Sequence, residues 1–424
     1  MFKVAKLVLV AISFGAYFAV ISPSLTYAQN PEDVKVTKVT RISHPAYRAA
    51  NIWYSTRNPW NRDYTRVLIY ESSFTHPNYG TTGRGLVWGF VDELKSWNTL
   101  QTDQQQLQAY QKAAKPLPEN TKWASTSLYW SPFNGEENIL YGIYTADKTV
   151  SKLNVDTGVR MPLVSYDPGD GTDVSGARST GWTIDNTLVV NFNGESYSAG
   201  YEVDVINKTK KRYTPFSGDC SEERKRFPHN GHGHSNKSPD GSKMAMKFGF
   251  GSDDGVMLMD DCAYVEDPSW EHKMDPPYPN LPIYVSWTAS ENWYLASGDQ
   301  EDPPIPYLTA PAITTWPIWQ VYFDGKNFTY RELLAVKTAA RWDPDANHAN
   351  GNEVRNYHAH LIPVLREDGR QIWFTATDGK YTIDDYNVAR VSPWEFESVF
   401  LADLAPAGGE ADTNAPSVPS NLTA

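Results

Sequence analysis

Short apolar runs recur along the chain, each entered through a polar turn, and helical periodicity is scarce. Ser238-Pro239-Asp240-Gly241 followed by SKMAMKFGF is the clearest copy, and Ser131-Pro132-Phe133-Asn134-Gly135 before ILYGIY is another with a longer turn. Asn61-Arg62-Asp63-Tyr64 precedes TRVLIY, and Thr183-Ile184-Asp185-Asn186 precedes TLVVNF. Thr288-Ala289-Ser290-Glu291 precedes NWYLAS, and Glu367-Asp368-Gly369 precedes RQIWFTA. Asp and Gly suit such positions because they tolerate tight-turn backbone angles. SKLNVDTGVRMPL, YEVDVINKTKKRYT and IWQVYFDGKNFTYREL each continue as strand, turn, strand. The one helical candidate, Thr102 to Ala114, has good helix formers but a weak apolar stripe, and reads as an inserted surface helix.

A turn–strand unit repeated in this way predicts an all-β fold, a β-propeller of four-stranded antiparallel blades. Six copies are recognisable, with Gly85 to Leu100 in the first unit. A seventh blade, degenerate or closed by the N-terminal strand Val34 to Ile42, is expected to complete the ring. A multi-domain β-sandwich would leave the recurring unit unexplained.

The ends differ from this body. Lys3 and Lys6 precede an apolar run from Leu7 to Val20, and Tyr27-Ala28 ends in a small residue. That pattern predicts a secretory signal peptide over 1–28 and a secreted protein, extracellular or periplasmic. The run is too short and interrupted for a membrane span, so no membrane partner is expected. The propeller is assigned to 29–404, and 405–424 is rich in small residues and proline, as a linker is. Its last part, APSVPSNLTA, resembles the opening strand of a fibronectin type III module.

Charge and composition narrow the function. Fifty acidic against 38 basic residues give a net charge of -12, which argues against a general nucleic-acid binder. Aromatics make up 13% of the chain, including 15 Trp. Most are expected in blade cores, while Trp60, Trp88 and Trp316 are candidates to stack on sugars from exposed positions. Cys220 and Cys262 are compatible with one disulfide in an oxidising compartment.

Five of nine histidines fall in two clusters, His229, His232 and His234 before one turn, His358 and His360 before another. Both are read as the start of an innermost strand, so that the ring would gather them at one mouth. Five residues before the turn proline stands His234; the matching positions are Arg57, Ser127, Ser179 (beside Arg178) and Tyr284. Histidine, tyrosine and arginine suit elimination on a uronic acid. A cation neutralising the carboxylate stabilises the enolate-like intermediate, His or Tyr removes the C5 proton, and a Tyr, His or water protonates the leaving oxygen at C4. Polar groups hydrogen-bonded across a wet channel would be the plainer reading. Arg224 and Arg226, in SEERKR, read first as a solvated loop and second as residues approaching the site.

HSNKSPDGSKMAMKF and HAHLIPVLREDGRQIWFTATDG resemble the oligogalacturonate lyases, which are seven-bladed propellers, and ulvan lyases are the other relatives of this kind. Both groups cleave uronic-acid glycans by β-elimination. The resemblance implies that His234 is the general base and that His358 and His360 match paired metal-ligand histidines. Tyr284 stands where that family has a further metal histidine, and Arg355 where it has a glutamine. The family's manganese site is therefore put in doubt. No cofactor is required, a divalent cation (Ca, Mn or Zn) stays open, and Arg355 is expected to neutralise the substrate carboxylate.

The leading expectation is a monomeric polysaccharide lyase whose partner is an acidic polysaccharide, ulvan- or pectin-like. His234, Tyr284 and Arg355 are its catalytic candidates, and Arg57, Arg178, His232, His358, His360 and Trp60 its substrate-binding ones. A glycoside hydrolase needs two carboxylates across the sugar ring, which the aligned positions lack. A non-catalytic carbohydrate-binding propeller leaves the histidine clusters without a role.

Overall fold

The computed structural model describes residues 33–50, 58–72, 74–76, 79–192, 199–213, 225–227, 236–247, 254–266, 282–287, 292–298, 312–341, 357–358, 363–377 and 397–407. The predicted signal peptide and nearly all of the predicted linker lie outside them. Among the described residues no helix is long and apolar enough to cross a membrane.

Six antiparallel blade sheets form an all-β propeller. Blade I runs from its inner strand Arg48–Ala50 through Arg66–Ser72 and Gly85–Phe90 to Lys115–Pro116. Blades II and III have inner strands Trp123–Trp130 and Arg178–Trp182, and blade IV begins at Asn236–Lys237. Blade V begins at Pro282–Trp287 and carries a fifth, outermost strand, Tyr357–His358. Blade VI runs outward through Val364–Leu365, Gln371–Thr377 and Glu397–Pro406, and its outermost strand is Val34–Arg41. The N-terminal strand therefore completes the last of six blades and does not build a seventh. Pairing the first strand of the chain with the last closes the ring by backbone hydrogen bonds.

The recurring turns share one geometry. Asn61, Thr183, Ser238 and Arg366 each accept, through the backbone carbonyl, the N–H of the residue three further on: Tyr64, Asn186, Gly241 and Gly369. Those four acceptor-facing residues all have left-handed backbones, with φ of 60°, 59°, 77° and 72°. Asn and Gly adopt that region at little cost, whereas Tyr64 does so against a steric penalty.

A second repeat appears at the foot of each inner strand, two residues before the turn-proline position. Trp60, Trp130, Trp182 and Trp287 occupy it in blades I, II, III and V, Lys237 in blade IV and Leu365 in blade VI. Trp130 Nε1–H donates to the Pro59 carbonyl at 2.8 Å, and Trp182 Nε1–H to the Trp130 carbonyl at 2.9 Å. Each indole thus ties its blade to the preceding one. Higher up, Ser179 N–H donates to Ser127 Oγ (2.9 Å) and Leu365 N–H to Ser286 Oγ (3.1 Å). Buried inner-strand groups that would otherwise lack water find partners across blade seams in this way.

The closing seam between blades VI and I carries additional packing. Helices α1 (Val91–Ser96) and α2 (Asp103–Ala113) are inserted in blade I before its fourth strand. A capping box starts α2: Gln105 N–H donates to Thr102 Oγ1, and Thr102 N–H donates back to the Gln105 side chain, both at 3.2 Å. The helix stands where the sequence places it, yet it is more than a surface insert. Tyr110 is fully buried, and with Leu94 and Trp97 it packs among Trp60, Val364, Trp373 and Leu401 from both flanking blades. Trp97 Nε1–H donates to the Ile42 carbonyl (2.7 Å), and Lys95 pairs with Asp403 (3.2 Å). Beneath α2, Glu71 is wholly buried and receives a two-point contact from Arg84, Nε to Oε2 at 2.7 Å and Nη2 to Oε1 at 2.6 Å. Tyr110 Oη–H adds a third bond to that carboxylate at 2.7 Å. Burial and the Glu71 charge together push the Tyr110 phenol well above its ordinary value.

Cys262, in a turn of blade IV, is disulfide-bonded, and the other cysteine of the chain is Cys220.

Candidate functional site

Inner strands of a propeller all run from one mouth of the channel to the other. Their heads define an entrance and their feet, followed by the repeated turns, an exit. Arg178 is the first residue of the blade III inner strand, solvent-exposed at the entrance and paired in register with Asn191. Tyr284 lies on the blade V inner strand, where its backbone pairs with Ser297 just after a register shift. The blade IV inner strand between them begins at Asn236. Arg57, His232, His234, Arg355 and His360 lie outside the described residues.

Expectations for four residues are corrected. His358 is not on an innermost strand: its backbone pairs with Ala340 on the outer side of blade V. The reason is a long hairpin, Ala312–Phe323 with Phe328–Arg341, whose ends outrun the neighbouring strand Trp293–Gly298 towards the entrance. Trp60 is 1% exposed and packs edge-on against Trp373 at 5.9 Å, so it belongs to the ring-closing core and offers no face to a sugar. Trp88 is likewise buried, with the Lys115 ammonium over its ring at 4.7 Å. The side chain of Trp316 lies outside what is described. Arg226 does not approach the entrance. It is ion-paired with Asp185, in a turn at the exit, and with Glu202. Arg224 lies outside the described residues.

Ser127 and Ser179, in the register of His234 and Tyr284, are buried and joined to each other across the blade II–III seam. Among the described residues no group of three or more His, Cys, Asp or Glu is placed to hold a metal ion.

A cavity with a volume of about 290 Å³ lies at the exit. Trp182, Lys237, Trp287 and Leu365, four residues of the foot register, line it together with Asn58 and Glu367. Where blades IV and VI carry Lys237 and Leu365, the run of indoles is interrupted and space opens. Lys237 is 7% exposed and contributes its stem, its ammonium nitrogen having no accessible surface. Glu367 lies at the rim, in the turn where its neighbours Arg366 and Asp368 pair with each other at 2.6 Å. Desolvation raises the Glu367 carboxyl above its ordinary value, opposed by Arg62 and reinforced by Asp368. Sequence reasoning followed the strand heads and passed over this end, although the recurrence of Trp before each turn marks it.

A second cavity, about 310 Å³, sits at the entrance side of the closing seam beside Tyr47, Tyr79, Arg84 and Gln111. Its polar groups are largely committed to one another: Gln111 Nε2–H donates to Tyr47 Oη (2.9 Å), and the Arg84 guanidinium stacks over the Tyr47 ring at 4.5 Å.

No known family profile matches the chain, and no curated protein does. Solved structures give similar shapes. An oligogalacturonate lyase from Vibrio parahaemolyticus is 12% identical, with a TM-score of 0.46 over 88% of this chain and 96% of that one. An oligogalacturonate lyase in complex with manganese is 10% identical, with a TM-score of 0.36 over 88% and 96%. A putative TolB from Agrobacterium tumefaciens is 10% identical, with a TM-score of 0.37 over 86% and 96%. Among the described residues the molecule shows six propeller blades, Arg178 exposed at the entrance and a cavity at the exit.

Proposed function

We propose that the chain is a secreted, monomeric lyase that cleaves a uronic-acid polysaccharide at the entrance mouth. The observation that supports it most is the order of inner strands. Arg178 heads that of blade III, Tyr284 lies on that of blade V, and the blade IV strand between them follows His234 by two residues. In this proposal three consecutive blades supply the cation, the base and the proton donor, Arg178 and Tyr284 from inner strands and His234 from the segment before the blade IV strand.

In this reading His234 takes the C5 proton, the electron pair forms the C4–C5 double bond, and the C4–O bond breaks. Tyr284 returns a proton to the departing oxygen, so no water is consumed. Arg355 neutralises the uronate carboxylate, which lowers the cost of developing charge on it. Arg57, Arg178, His232 and His360 hold flanking sugars. The net negative charge of the whole surface does not prevent this, because a local cluster of cations can make a groove positive.

Incubation with glucuronate- and galacturonate-containing glycans tests the proposal through the ultraviolet absorbance of the unsaturated uronate. The wild-type protein is expected to generate it from at least one glycan, and His234→Ala to lose about 10²–10⁴-fold in rate. New reducing ends without absorbance would make it a hydrolase. Binding without products would make it a carbohydrate-binding propeller.

A further inference from the structure

We propose that the exit cavity is a second ligand site, independent of the entrance, which takes a small hydroxylated organic amine such as a hexosamine. Its volume, about 290 Å³, is at the small end of ligand pockets and suits a single sugar-sized molecule. Of its two indoles, Trp182 is half-buried and supplies an apolar wall, while Trp287 is 3% exposed and adds little open surface. Such rings attract a cation electrostatically and pack against a sugar's C–H face.

The accessible charge of the cavity is acidic. Glu367 lines it and, among the described residues, makes neither a hydrogen bond nor an ion pair, since Arg366 beside it is committed to Asp368 and Gln371. Arg62, the cation that acts on Glu367, donates to the Pro132 carbonyl. Lys237 does not reverse this sign, because its ammonium is enclosed in the wall and is not among the groups that perturb Glu367. A carboxylate placed without a partner beside an aromatic wall fits an ammonium, and it disfavours a uronate. The Asn58 and Asn186 side chains at the rim are exposed and can bond hydroxyls. The site therefore selects the charge opposite to that of the entrance substrate.

Titration of the full-length protein with glucosamine, followed by tryptophan fluorescence and calorimetry, tests this, with N-acetylglucosamine and glucuronate as comparison ligands. Saturable binding of glucosamine is expected, with N-acetylglucosamine and glucuronate bound at least about tenfold more weakly, as the loss of a charge-assisted contact implies. Glu367→Gln, in an exposed turn, should weaken glucosamine by the same factor, and Trp182→Phe should reduce the fluorescence change. The absence of saturable binding would overturn the proposal. Equal binding by Glu367→Gln, or of the N-acetylated sugar, would overturn it as well. Lyase activity of these variants is read separately, so either proposal can fail while the other stands.

Discussion

Two carboxylates show how context decides what a residue does. Glu71 is buried, yet three hydrogen bonds and the Arg84 charge satisfy it. Removing one partner of such a pair leaves an uncompensated buried charge, so Arg84→Met is expected to cost about 3 kcal/mol of stability in urea unfolding. Glu367 has no such compensation. Its folded-state proton affinity is raised by desolvation, so at mildly acidic pH the folded chain holds a proton that the unfolded chain has released. That favours folding at low pH, and the benefit fades as pH rises through the raised value. Glu367→Gln should therefore increase the urea midpoint at pH 7 and leave it nearly unchanged at pH 4. No change at either pH would mean that the carboxylate is fully solvated. Neither environment is legible in the sequence, where Glu71 is a lone acid in the strand run RVLIYES and Glu367 stands in REDG, which reads like SPDG as a polar turn.

Turns and helix starts, by contrast, are legible because their chemistry is local. Thr102 and Gln105 mark the start of α2, and Asn186, Gly241 and Gly369 occupy left-handed positions that their residue types suit. The partners of these elements are not local, and there the sequence misleads. Trp60 looks like a sugar platform until blade VI packs Trp373 against it. The same contact geometry makes α1 and α2 a clasp over the closing seam. Trp97→Ala removes a buried ring and its bond to Ile42, and should destabilise by about 3–5 kcal/mol in chemical denaturation. A loss under about 1 kcal/mol would show the helices to be dispensable decoration.

At the scale of the whole molecule, counting turn motifs yields the six blades that the sheets display. Expecting a seventh came from assigning the N-terminal strand to a blade of its own, when strand pairing sends it to the edge of blade VI. Closure by that strand makes the ring cooperative, since its loss exposes the edge of Glu397–Pro406 and removes Val34 and Val36 from the cluster of Ala402 and Leu404. Deleting residues 29–41 should abolish the single cooperative melt, and retention of that melt would contradict ring closure through this strand. The entrance is harder to read than the frame, because its candidates come from several blades and from loops whose lengths the repeat does not fix. Sequence identifies Arg178 at a strand head correctly, but it puts His358 on an inner strand that belongs to Val364–Leu365.

The central claim, elimination at the entrance mouth, is tested most directly by the fate of water during cleavage. Digestion of a uronate glycan in heavy-oxygen water, stopped early and analysed by mass spectrometry, separates elimination from hydrolysis. The account predicts fragments with an unsaturated uronate at the new end, one water lighter and free of the label, formed by wild type and not by His234→Ala. Fragments that carry the label at the cleaved bond and no unsaturation would contradict it.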